Sequence, residues 1–320
     1  MFNKTWYDSF VGILTKRYPK NAQLTQALMD LLSLEREAVY RRLRQDVKFS
    51  IQEVVKIATT WNISIDELIG LHSEKVPFMM RPMNYLEPSK QEFYFIQHLI
   101  QTIKHLNNFP DSEVMDICNK LPCSLYTGFP YLNRFYLFKW MYQYGNKEEA
   151  VPFSKIVVSG KELQLTTDYY QALKQVPNTI FIFDYLIFEY LINDIRYFYF
   201  TLLITLEEKE LIKKDLHNLL NYLSEVAGKG YYPETRNKVT IYISQLNINT
   251  NYRYVHSDES DICFVHVFDK FKVHTYEQGM VESIKTWMQL KKRTSIQISG
   301  VDEKSRIEFF MKQRQLVDNL

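Results

Sequence analysis

Residues 33–44 (SLEREAVYRRLR) hold the densest set of side chains able to do recognition chemistry in this chain. Arg36, Arg41, Arg42 and Arg44, with Lys48 just beyond, supply cationic donors; Tyr40 adds a hydroxyl, and Glu35 and Glu37 add acceptors. Guanidinium groups neutralise phosphates and read base edges, a tyrosine bonds a phosphate or touches a thymine methyl, and a carboxylate accepts from cytosine. At about 100° per residue, Arg41 and Arg44 lie near one another on a helix. Arg36 and Tyr40 extend the same side, Arg42 flanks it, and Ala38, Val39 and Leu43 point inward. A solvated face with its arginines paired to Glu35 and Glu37 has the same composition, so the elements that hold this helix must decide between the two readings.

Those elements are legible on either side. Residues 3–18 form a first helix with an apolar stripe of Trp6, Phe10, Ile13 and Leu14, stopped by Pro19. Asn21 is placed to cap a second, in which Leu24, Ala27, Leu28, Leu31 and Leu32 recur at helical spacing. Ser33 is then expected to cap the basic helix by its hydroxyl alone, because Arg36 stands where a reciprocal box needs an acid or amide. Ser50 with Glu53 makes a full capping box ahead of Val54, Val55, Ile57, Ala58 and Trp61. Ser64 with Glu67 repeats it for a short fifth helix carrying Ile65, Leu68 and Ile69, closed by Gly70.

A packed helix, a tight turn, a basic helix and two short supporting helices make up the mechanical arrangement that presses one helix into a DNA groove. Residues 21–69 resemble the Cro/C1-type, or Xre-like, helix-turn-helix domain of bacterial regulators, with residues 3–18 in the place of its leading helix. The resemblance is carried by Leu28 and Leu32, by Leu34 at the turn, by Val39 inside the basic helix, and above all by the tail SIQEVVKIATTWNISIDELIG. Met29 and Ser33 stand where the family commonly has a small residue and a glycine, and Leu43 follows Val39 by four residues where the family often has three. The resemblance implies that Glu35, Arg36, Glu37, Tyr40, Arg41 and Arg44 meet the major groove. Beyond residue 69 there is only a distant likeness to one-chain regulators of the Bacteroidetes type, in which such a module precedes a large region.

The rest of the chain sets the frame. At 320 residues, it has room for two or three structural units. Net charge is +2, so no global field draws it to polyanions and any contact with them must be a local patch. Rings make up 15% of the residues, which predicts cores of large amphipathic side chains with their hydroxyls partnered. Three cysteines, Cys118, Cys123 and Cys263, do not make a disulfide framework and suit a reducing compartment. No export signal is apparent at the start of the sequence. Residues 179–205 are long enough to span a bilayer, but Asp184, Glu189, Asp194 and Arg196 make them a buried helix of a bundle.

The periodicity predicts a proline-bearing linker over 73–89 and helices over 90–230, including 111–120, 132–144 and the helix capped by Thr205 and Glu208. Strands follow at 239–246, 252–256, 262–267, 271–276 and 295–298, with helices at 277–292 and 303–316. The expected fold is therefore multidomain and mainly α: a helix-turn-helix at 1–72, a helical dimerisation or sensing region at 90–230, and a small α/β or α+β unit at 231–320.

Other constellations are weaker. Cys118 and Cys123 lack the spacing of a metal pair, and Cys263 and His266 fall on opposite faces of one strand. Gly160 and Lys161 lack the rest of a phosphate loop, and Gly228, Gly230 and Tyr232 read as a hinge between the helical region and the C-terminal unit. Lys291, Lys292, Arg293 and Arg306 around Gly300 suit a solvated edge better than an anion pocket. No metal or cofactor is implied and no catalytic constellation is legible.

The expectation is a cytoplasmic, non-enzymatic, sequence-specific DNA-binding regulator. Its expected partners are double-stranded DNA, a second copy of itself and a small-molecule or protein effector, without membrane contact. The alternatives are an intracellular small-molecule-binding protein or enzyme with a helical accessory domain, and a scaffold whose helix-turn-helix has lost DNA.

Overall fold

A computed structural model describes residues 6–18, 20–61, 63, 65, 76, 78–80, 90–144, 151–258, 261–267 and 272–320. The chain divides into two compact units, Met1–Phe78 and Met79–Leu320.

The first unit is built from α1 (Trp6–Arg17), α2 (Asn21–Leu32), α3 (Arg36–Leu43) and α4 (Ile51–Trp61). Tyr7, Phe10, Leu14, Leu24, Leu28, Val39, Phe49, Val54, Ile57 and Trp61 form its core. The stripe of α1 is rotated from the expected one. Tyr7 is 1% exposed and Trp6 42%, because Tyr7, Phe10 and Leu14 follow the i, i+3, i+7 line that faces α2 and the Phe49 loop. The Ser50–Glu53 box forms as read: Ser50 N donates to Glu53 Oε2 at 2.7 Å and Glu53 N to Ser50 Oγ at 3.2 Å. The expected fifth helix, apart from residues 63 and 65, and most of the 73–89 linker lie outside the described residues.

The second unit overturns the expectation of a mainly helical body followed by a small mixed unit. Its elements run β1 (Met79–Met80), α5 (Lys90–Leu106), β2 (Glu113–Cys118), α6 (Cys123–Tyr126), α7 (Pro130–Tyr144), a 3-10 turn (Phe153–Lys155), α8 (Gly160–Lys174) and β3 (Asn178–Asp184). They continue as α9 (Ile187–Phe200), α10 (Leu206–Lys229), β4 (Lys238–Ser244), β5 (Tyr252–His256), β6 (Asp261–His266), β7 (Lys272–Thr275), α11 (Gln278–Arg293), β8 (Ser295–Gln297) and α12 (Glu303–Asp318). Among the described residues one eight-stranded sheet, ordered β1-β7-β6-β5-β2-β3-β4-β8, threads the whole unit. β2, β3 and β4 are parallel and the other pairings antiparallel.

Besides the two-residue β1 in the expected linker, the missed strands are β2 and β3, inside this sheet. Residues 111–120, expected as helix, hold β2, and residues 179–205, expected as one buried helix, hold β3, a turn and α9. In β3 the six residues after Asn178 are all buried. A parallel strand covered on both faces loses the alternation that marks a strand, and a short apolar run then resembles a helix segment. One face, with Phe181, Phe183, Ile241 and Ile243, packs under α7, α9, α10 and α12. The other, with Met115, Ile117, Ile180 and Ile182, packs under Val281 and Met288 of α11. Asp215 of α10 accepts from Tyr131 N and Leu132 N at 2.7 and 3.2 Å and so closes the start of α7.

Gly230 is not a hinge between units. It takes φ 73° as the cap of α10, and the chain passes through a turn at 233–235 into β4, which pairs with β3. Across the β2–β5 pair, Arg253 forks onto Asp116 at 2.6 and 2.7 Å, and its Nη1 donates to Tyr169 Oη at 2.7 Å. Among the described residues, no helix is long and apolar enough to cross a membrane.

Candidate nucleic-acid interface

The basic helix is held by a turn and two polar anchors. α2 ends at Ser33, whose φ of 55° and ψ of 44° place it in the left-handed region, with its N–H donating to Met29 O. This residue therefore closes α2 and does not cap α3, as the serine-cap reading expected. Glu35 holds the N-cap position of α3 with extended backbone and no side-chain capping bond. The left-handed turn reverses the chain in three residues, so α3 crosses α2 with Val39 fully buried between them.

The first anchor is Tyr7. Its hydroxyl accepts from Phe49 N at 2.9 Å and donates to Arg42 O at 3.2 Å, joining the end of α3 to the loop before α4. Burial raises this phenol's pKa, against the lowering effect of the Phe49 bond. The second anchor is Glu53, which takes a forked bond from Arg42 at 3.2 and 2.9 Å while capping Ser50 N. Burial works to raise the Glu53 carboxyl, but the Arg42 and Ser50 bonds and the Arg42 charge outweigh it and hold the group below the usual glutamate range. Gln45, at φ 70°, adds a bond from its amide to Asp8 Oδ1 at 2.8 Å.

These contacts sort the predicted residues. Arg42 has a 17% exposed side chain, and its remaining donor goes to Ala38 O at 3.1 Å, so its guanidinium is committed to the scaffold. Glu35, Arg36, Glu37, Arg41, Arg44 and Lys48 are exposed, and Tyr40 is half-buried. Arg44 lies 3.0 Å from Glu37 and 3.3 Å from Asp46 with 59% of its side chain in solvent. The Glu37–Arg44 pair, seven residues apart, sets these two side chains on one outward side of α3. Exposed pairs of this kind are worth about 0–1 kcal/mol, so phosphate can displace them. Lys48 lies in the loop between α3 and α4, with its Nζ 5.9 Å from the Tyr7 ring centroid.

Residues 7–83 match the BetR domain, a helix-turn-helix-type domain. The match takes in all four helices above and about a quarter of the chain. No curated protein and no solved structure matches the chain.

Among the described residues, the second unit contains no comparable outward-facing set on one helix. Asp184, at the end of β3, spends its oxygens on Leu186 N and Ile248 N at 2.9 and 2.7 Å. Asn251 binds Asn119 N, Lys120 N and Lys120 O, so the β4–β5 loop lies across the carboxyl ends of β2 and β3. Open α/β sheets commonly bind ligands at that edge. Beside Asp116 and Arg253 a small cavity of about 10 Å³ has room for about one water.

Burial raises the Cys118 thiol pKa, and pushes that of Cys263 up to about 12. Asp194 pairs with Lys139 at 2.5 Å, and Arg196 donates to Asn319 O at 2.9 Å. The start of α12 is occupied by Asp302, which accepts from Ser305 N at 2.9 Å where an anion would bind. Among the described residues no group of three or more His, Cys, Asp or Glu is arranged to hold a metal.

Sequence reasoning missed the buried Tyr7, the bond of Arg42 to Glu53 and the left-handed role of Ser33. Tyr7 adjoins Trp6, and periodicity alone does not choose between neighbours. The glycine expected by resemblance at position 33 was the available signal for the turn.

Proposed function

We propose that this chain is a sequence-specific, Cro/C1-type DNA-binding regulator that places α3 in the major groove and acts in the cytoplasm as a homodimer. The observation that carries this reading is the geometry of α3. A left-handed turn, a buried Val39 and the Tyr7 and Glu53 anchors hold Arg36, Arg41 and Arg44 outward on a rigid base. The match of residues 7–83 to a helix-turn-helix-type domain supports it. Arg36 and Arg41 are the base-reading candidates, with Glu37 and Tyr40 beside them. Arg44 and Lys48 suit phosphates at the exit of the helix, while Arg42 stiffens the support.

Four exposed cations, Arg36, Arg41, Arg44 and Lys48, face three acids, Glu35, Glu37 and Asp46, so the surface is close to neutral. Such a surface binds duplex weakly without the right bases and depends on direct readout. A single small module makes few phosphate contacts, which is why two copies on a two-fold operator belong to the proposal. We assign the second unit to assembly or effector response rather than to a reaction, in keeping with a sheet edge closed by the chain's own loop and with protonated, buried thiols.

Selection of bound sequences from random duplex DNA by the full-length chain tests the reading. Recovery of a two-fold symmetric motif is expected. Arg41→Ala then weakens binding to that motif by about 1–3 kcal/mol if it reads a base, and Arg44→Ala lowers the salt slope by about one if it holds a phosphate. Failure to enrich any sequence, or variants that bind as the parent does, would sink the proposal.

A further inference from the structure

The turn between α9 and α10 presents apolar side chains to solvent. Phe200 is 77% exposed, Leu202 86% and Leu206 58%. Tyr197 and Tyr142 continue the surface with their hydroxyls 3.0 Å apart, and Tyr190 lies two turns before Tyr197 on the same face of α9. An open groove of about 490 Å³ runs beside the turn, lined by Tyr199, Phe200, Leu202, Ile204, Thr205 and Leu206.

Leu202 also sits at φ 61°, a left-handed conformation that a leucine avoids. The backbone pins it there. Leu202 N donates to Tyr199 O at 3.1 Å, Leu203 N and Ile204 N donate to Phe198 O at 3.0 and 3.2 Å, and Leu203 O accepts from Phe153 N at 2.9 Å. A single copy thus holds a strained leucine rigidly in water, where neither its conformation nor its exposure is rewarded.

We propose that this surface is where two copies of the chain meet. The argument is one of area and shape. From the usual size of such side chains, the exposed parts of Tyr142, Tyr190, Tyr197, Phe200, Leu202 and Leu206 amount to roughly 650 Å² per copy, and two copies bury about 1,300 Å², within the range of stable specific interfaces. The protruding Phe200 and Leu202 stand beside the groove they help to line. A two-fold axis at the turn therefore sets each copy's protrusion into its partner's groove, as a self-complementary patch requires.

The bordering cations are already engaged within their own copy: Lys139 with Asp194, Arg196 with Asn319 O and Lys209 with Leu320 O. None of these bordering cations is then left over to oppose a second copy, and the apolar Phe200, Leu202 and Leu206 are interspersed only with exposed Thr201, Thr205 and Glu207. The choice of a second copy as occupant rests on the regulator reading, which needs two recognition helices; the geometry of the patch does not.

Sedimentation equilibrium of the full-length chain tests this, with circular dichroism and melting as controls. The parent chain is expected to be a dimer at micromolar concentration. Leu202→Gly should weaken association at least about tenfold, since the side chain is lost from both copies, while the fold melts no lower because glycine accepts φ 61° without strain. Phe200→Glu should give a monomer with an unchanged spectrum. Ile307→Glu, at a 56% exposed apolar position on α12, should leave association as it was.

A parent chain that stays monomeric at high micromolar concentration, or variants at Phe200 and Leu202 that associate like the parent, overturns the proposal. A dimer that follows these expectations and selects no DNA overturns the regulator reading alone. A monomeric chain that still selects DNA overturns this interface and the homodimer within the regulator reading, and leaves DNA binding standing.

Discussion

Ser33 accepts a backbone conformation that costs an L-residue about 1 kcal/mol, and it does so where the related domains commonly place glycine. Ser33→Gly removes the strain at the turn before the recognition helix but makes the unfolded chain freer. The strain is the larger effect at φ 55°, so a net gain of about 0.5–1 kcal/mol is expected in urea titration of the first unit. A loss would show that the serine hydroxyl stabilises the turn. Glu53 gives a second test at this scale. Its folded pKa is depressed, so the stability it contributes is full above the ordinary glutamate range and is lost as pH falls through the folded value. Glu53→Gln should cost the first unit about 1–2 kcal/mol near neutrality. It should also flatten the loss of stability on acidification below about pH 4.5. An acid limb as steep as the parent's would place the titrating group elsewhere.

Among the elements, the pairing of β2 with β5 carries the buried fork between Asp116 and Arg253, two residues facing each other in register. A charge left alone there is expensive, whereas an apolar pair of similar volume is tolerated. Asp116→Asn is therefore expected to cost the second unit about 3–5 kcal/mol, and Asp116→Leu with Arg253→Met together to recover most of it, read by denaturant unfolding. A double variant no better than the single one would show that the ions also set the strand register.

The same elements explain what was legible. The capping boxes at Ser50 and Thr205 and the hairpin strands β5, β6 and β7 leave local signatures, either reciprocal hydrogen-bonding residues or alternation on a half-exposed sheet. β2 and β3 leave none, because neighbours on both edges and helices on a face erase the alternation. With them hidden, β4 to β8 read as a small separate unit, and α8 to α10 read as a bundle when they are crossovers of an α/β layer. At the candidate interface, the exposed cations were legible from helical spacing. Arg42 was not separable from them, since its inward turn depends on Glu53 eleven residues away.

At the scale of the whole molecule, each unit has a hydrophobic core of its own. The first core runs from Tyr7 to Trp61, and the others take all their buried members from Ile100 onward. Cooperativity follows shared burial, so each core is expected to melt as its own unit. Calorimetry of the full-length chain should resolve two transitions that substitutions address separately. Ser33→Gly should move one upward, by about 4–8 °C per kcal/mol for a unit of this size. Asp116→Asn should lower the other and leave the first in place. Duplex carrying a selected operator should raise only the transition that Ser33→Gly moves, by mass action on the folded recognition unit. The surface around Leu202 predicts the complementary response: dilution below the dimer dissociation constant should lower only the transition that Asp116→Asn moves. A single transition shifted by every one of these changes would mean that the two units fold as one, and DNA and dimerisation would then be coupled through the fold itself.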